Sequence, residues 1–141
     1  MLTLPQTAEY ALRSVCFIAE HEAAGPVPVS VIARALGAPH NYLSKTLHQL
    51  GALGILQSVR GAQGGYRLGK PARNLRLAEI VEPFVLPQER RCIMGRLRCR
   101  DDAPCGAHDR WKGVLSSVQD FFTNQTVADL LANPAIRQRS A

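Results

Sequence analysis

The stretch that most restricts the fold of this chain is residues 30–68, where two helical patterns precede a glycine-tipped hairpin. A short helix is predicted to begin at Ser30, as its N-cap, and to end at Gly37. A longer helix is predicted over residues 40–53, where apolar residues recur at intervals of three and four. A short helix, a glycine turn and a longer helix with a polar face are typical of a helix-turn-helix, whose second helix enters the major groove of DNA. The inward positions of the longer helix are Tyr42, Leu43, Leu47 and Leu50.

The hairpin and an earlier helix extend this pattern. Residues 55–60 and 66–68 read as two strands, which a flexible glycine-rich turn over residues 61–65 connects. The earlier helix is predicted over residues 7–24, with Thr7 as the residue that caps its start. Three helices followed by a hairpin with an arginine at its base predict a winged helix-turn-helix, whose wing lies along the phosphates or in the minor groove.

A second feature is a cluster of cysteines downstream of the hairpin. Cys92, Cys99 and Cys105 are three of the four cysteines in the chain, they are spaced C-x6-C-x5-C, and His108 follows them. Glycine and proline residues between them favour a loop that can wrap around a bound group. In a reducing compartment, clustered cysteines more often bind metal or perform redox chemistry than form structural disulfides.

Spacing alone leaves three interpretations of this cysteine loop open. An iron-sulfur cluster accepts wide and varied spacings. A zinc site is the second, because three cysteines and a histidine are a standard tetrahedral zinc set, although gaps of six and five are wide for it. A cluster-free redox switch is the third, because nearby positive charge favours thiolates. The arginines that would supply this charge are Arg90, Arg91, Arg96, Arg98 and Arg100.

The C-terminal half is predicted to be helical outside this loop. Residues 75–84 read as one helix, and an apolar, aromatic stripe over residues 111–122 predicts a long helix that pairs with its twin in a second copy. Thr126 and Asp129 are typical of the start of a short last helix, and the basic residues 134–141 are predicted to be disordered. We therefore predict a mainly α fold with a small β-hairpin. Residues 1–74 form the winged helix-turn-helix DNA-binding domain, and residues 75–141 contain the cluster-binding loop (89–108), the long C-terminal dimerisation helix and the short C-terminal helix.

Charge and hydropathy are consistent with a nucleic-acid partner. The chain has 17 Lys and Arg against 11 Asp and Glu, a net charge of +6, which favours a polyanionic partner once a DNA-binding motif supports it. No apolar run approaches the roughly 18 residues of a membrane span, and the N-terminus lacks a secretory pattern. We therefore expect a cytoplasmic protein with no membrane association.

Several of these segments together resemble one family. They are residues 8–13, Tyr42 with Leu43, the wing residues 58–66, the three cysteines, and residues 126–130. On these residues the chain resembles the IscR/NsrR-type (Rrf-type) family of bacterial winged-helix transcription regulators, over nearly its whole length. The resemblance implies a homodimer with crossed long helices that binds a near-palindromic double-stranded DNA operator. It also implies an iron-sulfur cluster in the cysteine loop, for which [2Fe-2S] is favoured over [4Fe-4S]. Cluster state would report iron-sulfur supply, nitric oxide, iron or redox poise.

The resemblance also implies the cluster ligands. Cys92, Cys99 and Cys105 are the first three, and His108 is the preferred fourth because imidazole is a softer match for iron than carboxylate. The alternative fourth ligand is Glu9, since some members use a carboxylate at the matching place on the partner subunit's first helix. Another possible role of His108 is to cap the long helix. The first cysteine gap is longer here than in several members.

The expected DNA contacts lie on the longer helix and the wing. Asn41, Ser44 and Lys45 are expected near base edges or flanking phosphates. Arg60 is the strongest candidate, because an arginine fork reaches into a narrow groove of negative potential. The other expected contacts are Pro39 and His40 at the start of the helix, His48 at a phosphate, and Arg67, with Lys70 and Arg73, as contacts that do not read sequence.

Two other classes of function are alternatives to a transcription regulator. A small thiol oxidoreductase is disfavoured, because the chain has no C-x-x-C beside a βαβ pattern and no acid-base constellation outside the loop. A zinc module that mediates protein contacts would differ from a regulator in a DNA-binding assay. Neither an enzymatic activity nor a small-molecule substrate is predicted.

Overall fold

The computed structural model describes residues 4–85, 92–96 and 99–133. Within these ranges the chain is mainly α-helical with one two-stranded antiparallel hairpin, as predicted. The predicted disordered tail, residues 134–141, and residues 89–91 and 97–98 of the predicted cluster-binding loop lie outside the described residues. The elements are α1 (Gln6–His21), α2 (Val29–Leu36), α3 (His40–Ala52), β1 (Leu56–Val59), β2 (Gly65–Leu68), α4 (Leu77–Val81), α5 (His108–Asn124) and α6 (Val127–Leu131).

The start of α1 differs from the prediction. Pro5 occupies the N-cap position and makes no side-chain cap, so Thr7 already lies inside the first turn. The Thr7 hydroxyl instead hydrogen-bonds the hydroxyl of Tyr42 on α3. A threonine that joins two helices in this way is not available as a cap, and the capping prediction was wrong. The buried face of α1 consists of Ala8, Ala11, Ser14, Val15 and Ile18.

The helix-turn-helix forms as predicted, with two local corrections. α2 begins after Pro28, so Ser30 is not its cap, and it ends at Gly37, whose φ of 64° is the left-handed value that glycine adopts readily. Leu43, Leu47 and Leu50 of α3 are fully buried. Tyr42, which was predicted to point inward, is 39% exposed, and its ring packs edge-on against Tyr10 at a centroid distance of 5.9 Å.

The wing is tied to the connector between α1 and α2. β1 pairs with β2 so that Leu56 faces Leu68. At the same time the backbone N–H of Val27 donates to the Tyr66 carbonyl, and the Tyr66 N–H donates to the Val27 carbonyl, both at 2.8 Å. Glu22 accepts a further bond from the Leu68 N–H at 2.8 Å. The base of the wing is therefore held by residues that precede the helix-turn-helix.

The helix predicted over residues 75–84 is shorter in the structure. A 3-10 turn precedes it at Ala72–Asn74, α4 spans only Leu77–Val81, and a second 3-10 turn follows at Glu82–Phe84. Pro83 stands in that second turn, and its missing N–H and fixed φ are incompatible with a continuing α-helix. The long helix α5 and the capping box of Thr126 and Asp129 at α6 are both present as predicted.

The end of α5 is joined by hydrogen bonds to the start of α4 and to the residues just before it. The Leu77 N–H donates to the Gln125 carbonyl at 3.0 Å, and the Val127 N–H donates to the Leu75 carbonyl at 2.9 Å. Leu75 and Val127 are fully buried in the same core as α1 and α3. One hydrophobic core therefore continues past residue 74, where the sequence suggested a division; two separate functional domains remain a prediction.

Candidate metal centre and DNA-binding surface

Cys92 opens a tight turn in the cysteine loop. The Gly95 N–H donates to the Cys92 carbonyl at 2.9 Å, and the Cys92 N–H donates to the Arg96 carbonyl at 3.2 Å. Gly95 has a φ of 80°, a conformation that favours glycine, so it permits this closed turn. The turn leaves the side chains of Ile93 and Met94 exposed.

The thiols of the loop interact with one another. All four cysteines of the chain are free, and the thiols of Cys92 and Cys99 are in hydrogen-bond contact. A backbone hydrogen bond from Met94 lowers the pKa of Cys92, and the contact with Cys99 and the charge of Arg96 lower it further. Burial raises the pKa of Cys99, and the contact with Cys92 and the charge of Cys105 add to this rise. The pair thus separates into a more acidic and a less acidic thiol.

His108 is the first residue of α5 and is almost fully buried. Its Nε2 lies 2.8 Å from Oδ1 of Asp101, and the same oxygen lies 2.8 Å from Nζ of Lys112. The hydrogen bond from Lys112, followed by that from His108, lowers the pKa of Asp101. Ala107 is the N-cap of α5 and no side chain caps the helix, so His108 does not have the capping role considered above.

The predicted ligands are only partly assembled. The structure brings the thiols of Cys92 and Cys99 into contact. The backbone N–H of His108 donates to the Cys105 carbonyl at 3.0 Å. Across residues 4–85, 92–96 and 99–133, no three Cys, His, Asp or Glu side chains converge closely enough to hold a metal ion. Nevertheless, free thiols that influence each other's pKa, together with an imidazole, form a donor set whose chemistry fits a thiolate-ligated iron or zinc group.

One arginine of the loop is bound differently from what the sequence suggested. Arg100, proposed as a source of charge for the thiolates, forms a two-point ion pair with Asp102, with distances of 3.0 and 2.5 Å. Arg96 does act on Cys92, whereas Arg90, Arg91 and Arg98 lie outside the described residues. Asp101 and Lys112 are new members of the site. Lys112 has one sequence signal, its position four residues, or about one helical turn, after His108. Asp101 has no such signal.

Glu9 and Cys16 lie apart from this loop, on α1. The Glu9 carboxylate faces solvent and pairs with Arg13 one turn later, Oε1 to Nη1, at 3.3 Å. Cys16 is half-buried, and burial, with a smaller contribution from the charge of Glu20, raises its pKa to about 11. A thiol with that pKa is almost entirely protonated at neutral pH and is therefore a poor nucleophile and a poor metal ligand.

The predicted DNA-contacting residues all lie at the surface. Ser44 is half-buried on α3, and Arg67 is exposed on β2 opposite Gln57. Arg60 is exposed directly after β1, at the point where the hairpin turns. The remaining candidates are also exposed: Pro39, His40, Asn41, Lys45 and His48. The structure thus places them on the outer faces of α3 and the wing, and their contacts with DNA stay a prediction.

The apolar stripe of α5 is uncovered in the single chain. Val114 is 44% exposed and Phe121 is 47% exposed, although both belong to a helix with a strong apolar pattern. Apart from His108, no residue of α5 is fully buried. None of the helices that the structure describes is long and apolar enough to cross a membrane. The residues that line the shallow apolar groove are Arg110, Gly113, Val114, Ser117, Val118, Phe121 and Phe122.

The chain is similar to known proteins both in sequence and in fold. The family model Rrf2, described as an iron-dependent transcriptional regulator, matches residues 4–133. The HTH-type transcriptional regulator IscR of Vibrio parahaemolyticus is 27% identical over 139 residues, which cover 99% of this chain and 83% of that protein. The structure of CymR, the global cysteine regulator of B. subtilis, superposes with a TM-score of 0.80 at 23% identity, covering 94% of this chain and 98% of that one. The structure of T. potens IscR superposes with a TM-score of 0.75 at 26% identity, covering 95% and 90%.

Proposed function

Because the chain belongs to the Rrf2 family of transcriptional regulators, we propose that it senses iron-sulfur status, nitric oxide or redox state through a cluster held by the cysteine loop. Its relatives are transcription regulators, so the chain is a regulator and not an enzyme. The observation that carries the sensing part is the contact between the Cys92 and Cys99 thiols, within electrostatic reach of Cys105. Three free thiols in one loop supply three of the four protein ligands that an iron-sulfur cluster usually has.

The fourth proposed ligand is His108. Its imidazole is buried at the start of α5 and is already held at one nitrogen by Asp101. Glu9, the alternative, would have to come from a second copy and to leave its ion pair with Arg13. Mixed thiolate and imidazole ligation occurs in two-iron clusters, so we favour [2Fe-2S] over [4Fe-4S]. When bound, the cluster supplies a group whose ligation and charge respond to redox agents and nitric oxide.

The chain itself connects this loop to the DNA-binding surface. The loop ends at His108, the first residue of α5. The other end of α5 is tied to the core by the backbone bonds at Leu77 and Val127 and by Arg76 Nη1, which donates to the Asn124 carbonyl at 2.9 Å. A shift of the loop would therefore be transmitted along α5 to the core that it shares with the DNA-binding half. A free-energy difference on the order of 1–3 kcal/mol between two such positions is enough to change operator occupancy severalfold.

We further propose a cytoplasmic homodimer that binds a near-palindromic operator. The uncovered apolar face of α5 supports the dimer, because Val114 and Phe121 would be buried against the same face of a second copy. Two copies of α3 would then contact successive major grooves about 34 Å apart. A reducing cytoplasm would keep the loop thiols free for cluster binding.

Anaerobic purification tests the cluster. We expect a coloured protein that contains iron and acid-labile sulfide. Its absorption spectrum should change on exposure to oxygen or nitric oxide, and its affinity for the upstream region of its own gene should change together with the spectrum. Cys99→Ser should abolish the colour and Cys16→Ser should retain it, because only Cys99 belongs to the interacting thiols. A colourless wild-type protein with one zinc ion per chain would overturn the cluster proposal.

A thiol switch without a cluster is the second candidate, supported by the contact and the opposite pKa shifts of Cys92 and Cys99. An oxidant such as a peroxide would convert the two thiols to a disulfide, taking up two electrons and two protons. Mass spectrometry of trapped, cluster-free protein would detect this bond. If DNA affinity then followed disulfide content and not iron content, the switch would replace the cluster as the sensor.

Arg60→Ala tests the role of the wing. We expect operator affinity to fall by roughly 1–2 kcal/mol, about 5- to 30-fold, because one exposed guanidinium would be lost from a narrow groove. Fluorescence anisotropy at moderate salt measures this change. Arg67→Ala is the comparison: as a phosphate contact it should weaken operator and unrelated DNA equally. Unchanged operator affinity in Arg60→Ala would refute the assignment of Arg60.

A further inference from the structure

The loop contains a carboxylate that the proposed ligand set does not use. We infer that Asp101 is a positioning residue for the metal centre, because it fixes the tautomer and the orientation of His108 so that Nδ1 is the nitrogen available for ligation. This inference rests on the proposed function. Asp101 lies between Cys99 and Cys105 in the sequence, and its side chain connects this part of the loop to the first turn of α5.

The hydrogen bond determines the tautomer. An ionised carboxylate only accepts hydrogen bonds, so the 2.8 Å contact between Oδ1 of Asp101 and Nε2 of His108 requires Nε2 to carry the proton. In a neutral imidazole the lone pair then resides on Nδ1. Metal-ligating histidines almost always donate their other N–H to a carboxylate, a carbonyl or water, and this bond orients the ring and raises its basicity. His108 already has this outer partner.

Lys112 holds the carboxylate in place. It lies one turn after His108 on α5, and its Nζ is 2.8 Å from the same Oδ1. Asp101 is therefore bound by two groups on one face of the helix, although its own side chain is 77% exposed. An exposed loop carboxylate without such a partner would be free to rotate away from His108. The Lys112 contact limits this rotation, and with it the rotation of the imidazole.

Asp102 provides a matched control. It is the next residue and also carries an ion pair, but its partner is Arg100 and not His108. Asp101→Ala and Asp102→Ala remove the same charge from adjacent positions of the same loop. If the site required only the negative charge of the loop, the two variants would behave alike. If Asp101 acts through His108, only Asp101→Ala will change the behaviour of the imidazole.

The first measurement is the tautomer of His108 in the full-length, iron-free, reduced protein, from long-range proton–nitrogen-15 NMR of the imidazoles. We expect the Nε2–H form in the wild type and in Asp102→Ala, and a mixture of tautomers in Asp101→Ala. An Nδ1–H form in the wild type would overturn the inference. Because a contact that only fastened the loop to α5 would select the same tautomer, the second measurement is the one that separates the two roles.

The second measurement is the anaerobic loss of cluster colour to an iron chelator. We expect Asp101→Ala to lose its cluster roughly ten times faster or more, and Asp102→Ala to stay close to the wild type. In a His108→Ala background, Asp101→Ala should have no further effect, because the residue it positions is absent. An equal effect of Asp101→Ala with and without His108 would overturn the inference while leaving the cluster proposal intact. A wild type without iron would instead refute the proposed function, and the role of Asp101 with it.

Discussion

Replacing Phe121 with glutamate is expected to convert the protein from a dimer to a monomer and to lower its operator affinity by roughly a hundredfold or more, because linked recognition of two half-sites is lost. Phe121 is 47% exposed on α5 and packs edge-on against Phe122 at a centroid distance of 5.3 Å. A carboxylate at this position would lose its hydration against the apolar face of the second copy and would gain no ion-pair partner in exchange. Such burial of an unpaired charge costs several kilocalories per mole.

Analytical ultracentrifugation and anisotropy on the operator measure the two effects of Phe121→Glu. Gln119→Glu is the control, because Gln119 is exposed on α5 but does not line the apolar groove. It should remain dimeric and bind DNA as the wild type does. Circular dichroism should show the same helix content in both variants. A Phe121→Glu protein that still sedimented as a dimer would show that the α5 groove is not the dimer interface.

Gly65→Ala is expected to destabilise the wing by on the order of 3 kcal/mol and to abolish specific operator binding. A Cβ at Gly65 would lie 2.4 Å from both the carbonyl carbon and the carbonyl oxygen of Val27. That carbonyl cannot move away easily, because it accepts the 2.8 Å hydrogen bond from the Tyr66 N–H. Relief of the clash would require breaking the backbone pair that holds the base of the wing.

Thermal unfolding and operator binding test the effect of Gly65→Ala. Gly51→Ala is the matched control, since its new Cβ would meet only the Tyr66 ring, at an ordinary contact distance of 3.7 Å. Because Gly51 lies within α3, alanine there should be neutral or stabilising by up to about 1 kcal/mol. Similar unfolding temperatures for the two variants would contradict the close approach of Gly65 to Val27.

The sequence predicted those parts of the fold that depend on local chemistry. Gly37 ends α2, Thr126 and Asp129 cap α6, and apolar spacing defines the buried face of α3, because each of these signals acts within one or two turns. Thr7 and Tyr42 were misread for the opposite reason. Their hydroxyls meet across 35 positions of the chain, and only the packing of α1 on α3 brings them together.

The site was predicted at the level of residue types but not at the level of contacts. Cysteine spacing indicated a metal or redox loop, yet it gave no indication that the Cys92 and Cys99 thiols would contact each other. Asp101 received no role, because its function depends on the folding of the loop onto α5, where His108 and Lys112 converge on one oxygen. Side chains that orient a ligand have no characteristic spacing, since they follow the path of the loop.

The backbone pair between Val27 and Tyr66 also bears on how regulators of this kind can diverge. It joins the hairpin base to the connector in front of α2, whereas the side chains of residues 60–63 at the tip are exposed. Changes in tip residues therefore alter the surface offered to DNA while the angle between wing and helix stays the same. An insertion or deletion in the connector would tilt the whole wing. We therefore expect regulators of this kind to differ in operator choice through residues at the tip, and to keep the length of the connector.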